Sequence, residues 1–508
     1  MNEAAGNVSA SGKTGRRGYV LFATILASGM AFMDGSIITV GLPAIRANLG
    51  ASLAEAQWTA NAYTLTLAAF TLLGGAAGDA YGLRRVFMLG IALFGLASAA
   101  CGFAWSPESL IVARAVQGVG GALMVPGSLA LISAYYPPDI RGRAIGTWAA
   151  ASAIAPAIGP ILGGALVDLG SWRALFWMNV PLAIAAWWLC ASRVPADNRT
   201  ADIRMDWIGG IVAVLGLGVL AYGLTEMGAT LGFHFDLAVA MALGGAAILV
   251  AFVIWEAVAP APMMPLVLFA NRTFSGVNVL TLLLYFALSG ALFFLPTALI
   301  QAHGYTAAVA GSVFLPFVIV MALLSRFGGI LSDRFGVRPC LTVGPILTGI
   351  SFLLLSPAAA GGQFWSALVP VMLLMGLGMG ITVAPLSTAV MNAAPEERRG
   401  AASGINNAVA RVAGLIAVAS LGIAITYGFD GVLSGAAGDA AREVREAGFG
   451  GNMAAGQGAD PAVMDLWAQA TIAGFSAVAL LCGVFAIAAG VVGWLFTGER
   501  HPDRARKA

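Results

Sequence analysis

Charge is the scarcest thing in this 508-residue chain: Asp, Glu, Lys and Arg make up 10% of it, against roughly 25% in soluble domains. So few charges leave no solvated domain to describe. Lysine is almost missing, two residues against 24 arginines, which reads as a GC-rich coding bias. The four cysteines (Cys101, Cys190, Cys340, Cys482) include no Cys-x-x-Cys pair, and the three histidines (His234, His303, His501) are scattered. Neither a disulfide framework nor a metal centre is expected. No basic run is interleaved with aromatics, so no nucleic-acid partner is expected. A Walker loop, a dinucleotide fingerprint, a Gly-x-Ser-x-Gly elbow and a His-Glu-x-x-His pair are all missing. The chain reads as a non-enzyme with no cofactor, and ATP is not its energy source.

What remains is apolar sequence, 59% of the chain, with a mean hydropathy of +0.88. Fourteen stretches are long enough to cross a bilayer: 18–40, 56–78, 86–104, 108–133, 144–167, 174–192, 207–225, 236–256, 273–300, 307–331, 339–357, 365–390, 401–426 and 467–497. A hydrocarbon core of ~30 Å takes about 20 apolar residues per helix, and backbone groups there are satisfied only in helices or closed barrels. The expected fold class is an all-α polytopic protein of the lipid bilayer. Lys and Arg gather in cytoplasmic loops. With the N-terminus inside, the inside segments hold 19 of them and the outside segments four (Arg46, Arg173, Arg442, Arg445), while Arg114, Arg326 and Arg411 stay within spans. Both termini are therefore expected in the cytoplasm, with the chain in a bacterial inner membrane. Arg16-Arg17 faintly resembles a twin-arginine export signal, but thirteen further spans follow the first, which favours a charge anchor.

The string GGAAGDAYGLRR from Gly74 recurs as GGILSDRFGVRP from Gly328, so Asp79 matches Asp333 at an offset of 254 residues. Leu42-Pro43 matches Leu295-Pro296 at 253, and Pro137 with Arg141-Gly142 matches Pro395 with Arg399-Gly400 at 258. Three matches at nearly one offset identify an internal duplication. The expected organisation is a cytoplasmic N-terminus (1–17), a six-helix half (18–192) and a linker with two extra spans (193–272). A second six-helix half (273–497) with an external loop near 427–466, and a cytoplasmic tail (498–508), complete it. The Gly- and Ala-rich segment from Tyr427 to Leu466 is expected to be a solvated loop.

Parallel six-helix repeats are the plan of the major facilitator superfamily, and named residues carry a resemblance to it. MDGSIITVGLPAI from Met33 resembles the first-span motif of drug:proton antiporters, with Asp34 in place. The loop after the second span resembles the superfamily loop motif in Gly75, Asp79, Gly82 and Arg84; it has Ala80 where an arginine is usual, while the second copy (Gly329, Asp333, Arg334, Gly336) keeps that arginine. RAVQGVGGA from Arg114 resembles the proton-coupling motif. GPILGG (Gly159, Pro160, Gly163, Gly164) resembles the antiporter motif of the fifth span, with Ala155 where a glycine is usual. QWTANAYTLTLAA from Gln57 and SWRALFWMNVPLA from Ser171, together with fourteen spans, resemble the DHA2 branch of drug:proton antiporters. The resemblance implies a major facilitator fold of two six-helix bundles plus two inserted helices, and transport driven by a proton gradient.

The residues also have a reading of their own. An Asp within a span costs ~2.5 to 3.5 kcal/mol on insertion scales and faces a cavity or a partner. Asp34 lies roughly 18 Å below Arg46 along a helix and Arg114 on the order of 10 Å from the outer end of its span, so the two sit at comparable depth. Desolvation and a nearby arginine act oppositely on a carboxylate, which suits a proton carrier; the alternative is a static ion pair. Gln117 and Arg411 are candidates for a polar cavity, Arg411 equally for interhelical bonding. Gly159 and Gly163, four apart, allow close helix contact and Pro160 bends its helix; gating and ordinary packing both remain open. Asp79 and Asp333 end spans at the cytoplasmic face as a switch or as simple turns. The resemblance implies that Asp79 meets a helix N-terminus of the opposite half and locks that side shut. Arg326 can snorkel to the inner surface, and Glu226 is expected to be a solvated end charge.

The expected function is proton-coupled export of small amphipathic, toxic compounds by alternating access. The partners are then a small-molecule substrate and protons, with a periplasmic adaptor protein possible. The alternatives are a dedicated metabolite or siderophore exporter, a proton symporter for uptake, and a membrane sensor or lipid-modifying enzyme.

Overall fold

The structure, a computed structural model, describes the backbone at residues 2–194, 206–229, 235–260, 262–395, 398–436, 439–451 and 460–497. Side chains are described there except at 2–16 and at scattered helical positions, among them Asp79, Arg326 and Asp333. Every regular element among the described residues is helical. In chain order they are α1 (Asn2–Leu49), α2 (Leu53–Tyr81), α3 (Leu83–Gly102), α4 (Pro107–Tyr135), α5 (Pro138–Asp168), α6 (Ala174–Trp177), α7 (Asn179–Arg193), α8 (Trp207–Ala229) and α9 (Phe235–Val258). There follow α10 (Arg272–His303), α11 (Ala307–Ser312), α12 (Phe314–Phe335), α13 (Val337–Gly361), α14 (Val369–Asn392), α15 (Arg399–Ser434), α16 (Asp439–Ala447) and α17 (Pro461–Phe496).

Polar residues at the breaks start these helices. Ser52 Oγ accepts from the Glu55 amide at 3.2 Å while Glu55 Oε2 accepts from the Ser52 amide at 2.7 Å, a reciprocal cap that satisfies two otherwise orphaned N–H groups of α2. Ser106 and Ser109 do the same for α4. Asn271 caps α10, and Asp460 with Pro461 opens α17.

Twelve helices among the described residues are long and apolar enough to cross a membrane. The two other expected spans, 56–78 and 144–167, fall on α2 and α5, where several side chains lie outside the described set.

By packing, the chain divides into two units. The first runs from α1 to Met263 and also takes in Tyr305–Ser312; the second holds Met264–Gly304, Val313–Phe449 and α17. In the first, α4 packs on α2 and α3, and α1 packs on α5, around a core that includes Tyr63, Phe87, Phe94, Met124 and Leu131. The inserted pair α8 and α9 belongs to this unit. It docks on α2, with the Trp58 and Tyr222 rings 6.2 Å apart. In the second unit α13 and α10 pack on α17, and α12 on α14.

The duplicated loop has the same backbone logic in both copies. Gly82 and Gly336 have φ of 102° and 84°, a region where a Cβ would clash, so a glycine ends one helix and the next starts at once. Two residues on, Arg84 Nε donates to the Cys190 carbonyl at 3.3 Å and Nη2 to that of Ala191 at 2.6 Å. At the repeat offset, Arg338 Nε donates to the Trp494 carbonyl at 2.9 Å. Each arginine ties the start of one helix to the C-terminal carbonyls of another helix of its own unit, α7 for Arg84 and α17 for Arg338, the end where a cation is favoured.

The segment from Tyr427 to Leu466 is not simply a solvated loop. α15 continues to Ser434, α16 buries Ala441 and Val444, and Trp467 Nε1 donates to the Gly448 carbonyl at 3.1 Å. The apolar positions of α16 are three apart, one helical turn, and they cover α17.

Candidate functional site

Among the described residues three charged side chains are buried: Asp34, Arg114 and Glu256, none more than 2% exposed. A buried charge is tolerated when paired and hydrogen-bonded, and the first two are paired with each other. Arg114 Nη1 donates to Asp34 Oδ2. Asp34 Oδ1 accepts from Gln117 Nε2 at 2.9 Å and from Asn179 Nδ2 at 2.8 Å. Arg114 further donates from Nε to the Thr59 carbonyl at 3.0 Å and from Nη1 to Gln117 Oε1 at 2.8 Å. Its guanidinium lies 4.4 Å from the Tyr63 ring centre and 5.7 Å from that of Phe176, which adds cation–π attraction.

Five elements build this constellation. α1 runs unbroken through Pro43 and brings Asp34; α4 brings Arg114 and Gln117 three residues apart, hence on one face. α2 contributes Thr59 and Tyr63, whose hydroxyl donates to the Ala31 carbonyl at 2.7 Å. The Phe176 ring comes from α6, and Asn179 opens α7. The glycines of RAVQGVGGA hold α4 close to its neighbours: a Cβ on Gly118 would strike Thr66 Oγ1 and the Tyr63 carbonyl, and one on Gly120 would lie 2.6 Å from the Phe94 nitrogen. Their absence of side chain fixes the depth at which Arg114 meets Asp34.

The fifth-span residues form a second close contact within the first unit. Cβ atoms on Gly159 and Gly163 would strike Ser36 and Ile37 of α1. Gly164 faces the Ala307 carbonyl and Gly311 faces that of Pro160, both too close for a Cβ. At the end of α5, Asp168 accepts from the amides of Ala307 at 3.1 Å and Ala308 at 2.9 Å, the charge sign that a helix N-terminus favours. Segment 305–312 thus packs with the first unit while the chain on either side of it belongs to the second.

The remaining expected residues fall elsewhere. Gly75 lies near Pro126 and Gly329 near Ala384, Arg334 is exposed, and Gly82, Arg84 and Gly336 serve the helix junctions described above. The side chains of Asp79, Asp333 and Arg326 lie outside the described residues. Arg411, in α15 of the second unit, is half-buried and engaged. Glu226, three residues before the end of α8, is likewise half-buried and engaged. No group of three His, Cys, Asp or Glu side chains comes together among the described residues. Thr59, Tyr63 and Asn179 stand out in the sequence only within the strings QWTANAYTLTLAA and SWRALFWMNVPLA, and Asp168 does not stand out at all.

Duplicated helical units with a buried, amide-bonded ion pair in the first define a membrane carrier, and comparison with known proteins agrees. The profile of the Major Facilitator Superfamily matches residues 24–418 and 277–508, and the chain belongs to that family. It is 32% identical over 414 residues to the methylenomycin A resistance protein of Bacillus subtilis, an alignment covering 80% of this chain and 87% of the relative. It is 34% identical over 425 residues to the tetracenomycin C resistance and export protein of Streptomyces glaucescens (82% and 77%), and 35% over 407 residues to the multidrug resistance protein Stp of Mycobacterium tuberculosis (79% and 74%). Among solved structures, an inward-facing bacterial homologue of the lysosomal transporter Spinster superposes with a TM-score of 0.65 at 18% identity, covering 96% of this chain and 99% of that one. A D-xylose–proton symporter gives 0.62 at 14%, covering 95% and 98%. These two share the fold.

Proposed function

We propose that the chain exports small, amphipathic, toxic compounds from the cytoplasm of a bacterial cell in exchange for protons, as an inner-membrane antiporter of the DHA2 type with both termini inside. The observation that carries this reading is the burial of Asp34 against Arg114, Gln117 and Asn179. An ionised carboxylate there is held by three donors. A proton on it removes the charge that Arg114 answers, so the site has two states of nearly equal shape and different bonding, which is what coupling requires. Uphill export without a nucleotide domain needs an ion gradient, and each charge moved down 100 mV supplies ~2.3 kcal/mol.

In the same reading, the contact of Pro160, Gly164 and Asp168 with residues 307–311 seals one side of the carrier in alternation, and the loop copies at Asp79 and Asp333 act as the cytoplasmic switch. Asp34 against Arg114, Arg326 and Arg411 makes the interior of the spans less acidic than a divalent-cation pump requires, so monovalent cationic, neutral and weakly anionic compounds fit better. A susceptibility panel across those three classes, in cells overexpressing the chain or its Asp34→Asn variant, tests the proposal: protection that requires Asp34 supports it. Relatives named for resistance to a single compound, methylenomycin A or puromycin, favour a second reading, dedicated export of one metabolite; protection confined to one compound would select it. A requirement for a periplasmic adaptor would show as protection lost in cells lacking such proteins.

A further inference from the structure

Two amides reach Asp34 Oδ1, and they differ in what their carbonyls do. Gln117 Oε1 accepts from Arg114 Nη1 at 2.8 Å, with the Cys101 thiol at 3.7 Å, so Gln117 is held at both ends. Asn179 Nδ2 donates to Asp34 Oδ1 at 2.8 Å and to Ser98 Oγ at 3.1 Å, while Asn179 Oδ1 is buried without a donor. Buried carbonyl oxygens without a partner are uncommon in folded proteins. The reversed amide would set oxygen against an ionised carboxylate, so the carbonyl stays idle for as long as Asp34 is charged.

We propose that Asn179 is a positioning residue that follows the charge on Asp34: its amide donates to the carboxylate, and turns over when Asp34 Oδ1 is protonated so that Asn179 Oδ1 accepts the new O–H. The inference rests on Asp34 carrying the proton. A half-turn of a side-chain amide exchanges oxygen for nitrogen in nearly the same place, so one 2.8 Å separation serves both states. The proton comes from water and stays on Asp34. In the turned state Asn179 Oδ1 also faces Ser98 Oγ, whose hydroxyl donates to the Phe176 carbonyl at 2.8 Å in the structure. Rotating that hydroxyl toward Asn179 releases Phe176, whose ring lies by Arg114. Protonation on α1 is thereby communicated to α3, α6 and α7. Gln117 cannot make the same turn without giving up Arg114.

The titratable or charged groups around Asp34 are Arg114 from α4, Tyr63 from α2 and Cys101 from α3. α6 and α7 present Phe176 and Asn179, α5 meets α1 there through Gly159 and Gly163, and α11 carries no titratable residue. Movement of Asn179 therefore reports on Asp34 and not on a second acid.

Infrared difference spectroscopy of the full-length protein in liposomes, titrated with pH and without substrate, tests this. A carboxylic-acid band that is lost in Asp34→Asn, and an asparagine side-chain amide band identified by isotope-labelled asparagine, are expected to change over the same pH interval. In Asn179→Ala the carboxylic-acid band is expected to reach its midpoint higher by up to about one pH unit, because the ionised form loses a charge-assisted bond and the protonated form only a weaker neutral one; Asn179→Gln should move it back. A purely packing role for Asn179 would leave the midpoint where it is. An unmoved midpoint in Asn179→Ala overturns this inference and leaves Asp34 as the proton carrier. So does a pH-silent asparagine band in the wild type, a measurement that needs no variant to fold. If no titrating carboxyl band depends on Asp34, the proton-coupling reading and this inference fall together.

Discussion

Asp34 and Arg114 close an ion pair across 80 residues of sequence, with neither residue more than 1% exposed. Removing one member of a buried pair leaves an uncompensated charge, a change that typically destabilises by about 3–5 kcal/mol. Arg114→Ala is expected to lower the melting temperature most at high pH, where Asp34 has to stay ionised, and least at low pH, where a neutral carboxyl needs no cation. Arg114→Lys keeps the charge but not the planar fork that bonds Thr59, Gln117 and Asp34 together, and should fall between. Thermal unfolding in detergent at several pH values measures both; a loss independent of pH would speak against the pair as the source of the stability.

Gly164→Ala places a methyl against the Ala307 carbonyl. Overpacking of this kind costs about 1–3 kcal/mol. Transport is expected to fall while the protein remains folded. Gly244→Ala, in α9 with nothing within 4 Å of the added carbon, is the control and should transport normally. Equal rates in the two variants would remove the α5 contact from the account.

Asp168 bonds two amide groups at the start of α11, and an exposed carboxylate at a helix N-terminus contributes about 0.3–1 kcal/mol. Asp168→Asn should therefore release segment 305–312 from α5 modestly, raising labelling of a cysteine introduced at Ala308 about two- to fivefold. Labelling that is unchanged would show that the glycine contacts alone hold the segment.

The sequence makes the depth of Asp34 and Arg114 legible, because helical rise converts residue number into height. It does not give azimuth, so which polar groups meet at that height required the fold. Gln117, three residues beyond Arg114, was within reach of helical spacing. Asn179 was not, since its helix starts only after the break at Trp177 and Met178. A signal was nonetheless present: an amide inside the apolar string FWMNVPLA is costly in a membrane unless bonded. Asp168 gave no such signal, because an acid at a helix end reads as a surface charge. Repeat register placed the paired loops well, even to Arg84 and Arg338. It also marks where the halves diverge: at the offset of Leu42-Pro43 and Leu295-Pro296, Asp34 corresponds to Ala287, buried and apolar. α16 was lost in Gly- and Ala-rich sequence whose composition outweighed its short apolar spacing.

If Asp34 alone titrates in the transport cycle, about one proton exchanges for one substrate, because protonation and substrate compete for one buried charge. Export of a monovalent cation then moves no net charge, and export of a neutral compound moves one. Clamping the membrane potential at fixed pH gradient should leave the first driving force unchanged and alter the second by ~2.3 kcal/mol per 100 mV. A cation gradient that follows voltage with two charges per cycle would point to a second acid, with Glu226 and the buried Glu256 as the residues to test.

The central claim is that Asp34 carries the proton, and proton-driven transport by Asp34→Asn in proteoliposomes tests it most directly. The amide preserves the shape of the carboxyl and abolishes its titration. The variant is expected to insert and purify as a folded protein, with a lower melting temperature because Arg114 loses its counter-charge, and to show no substrate movement driven by an imposed pH gradient. Wild-type rates of pH-driven transport in that variant would contradict the claim.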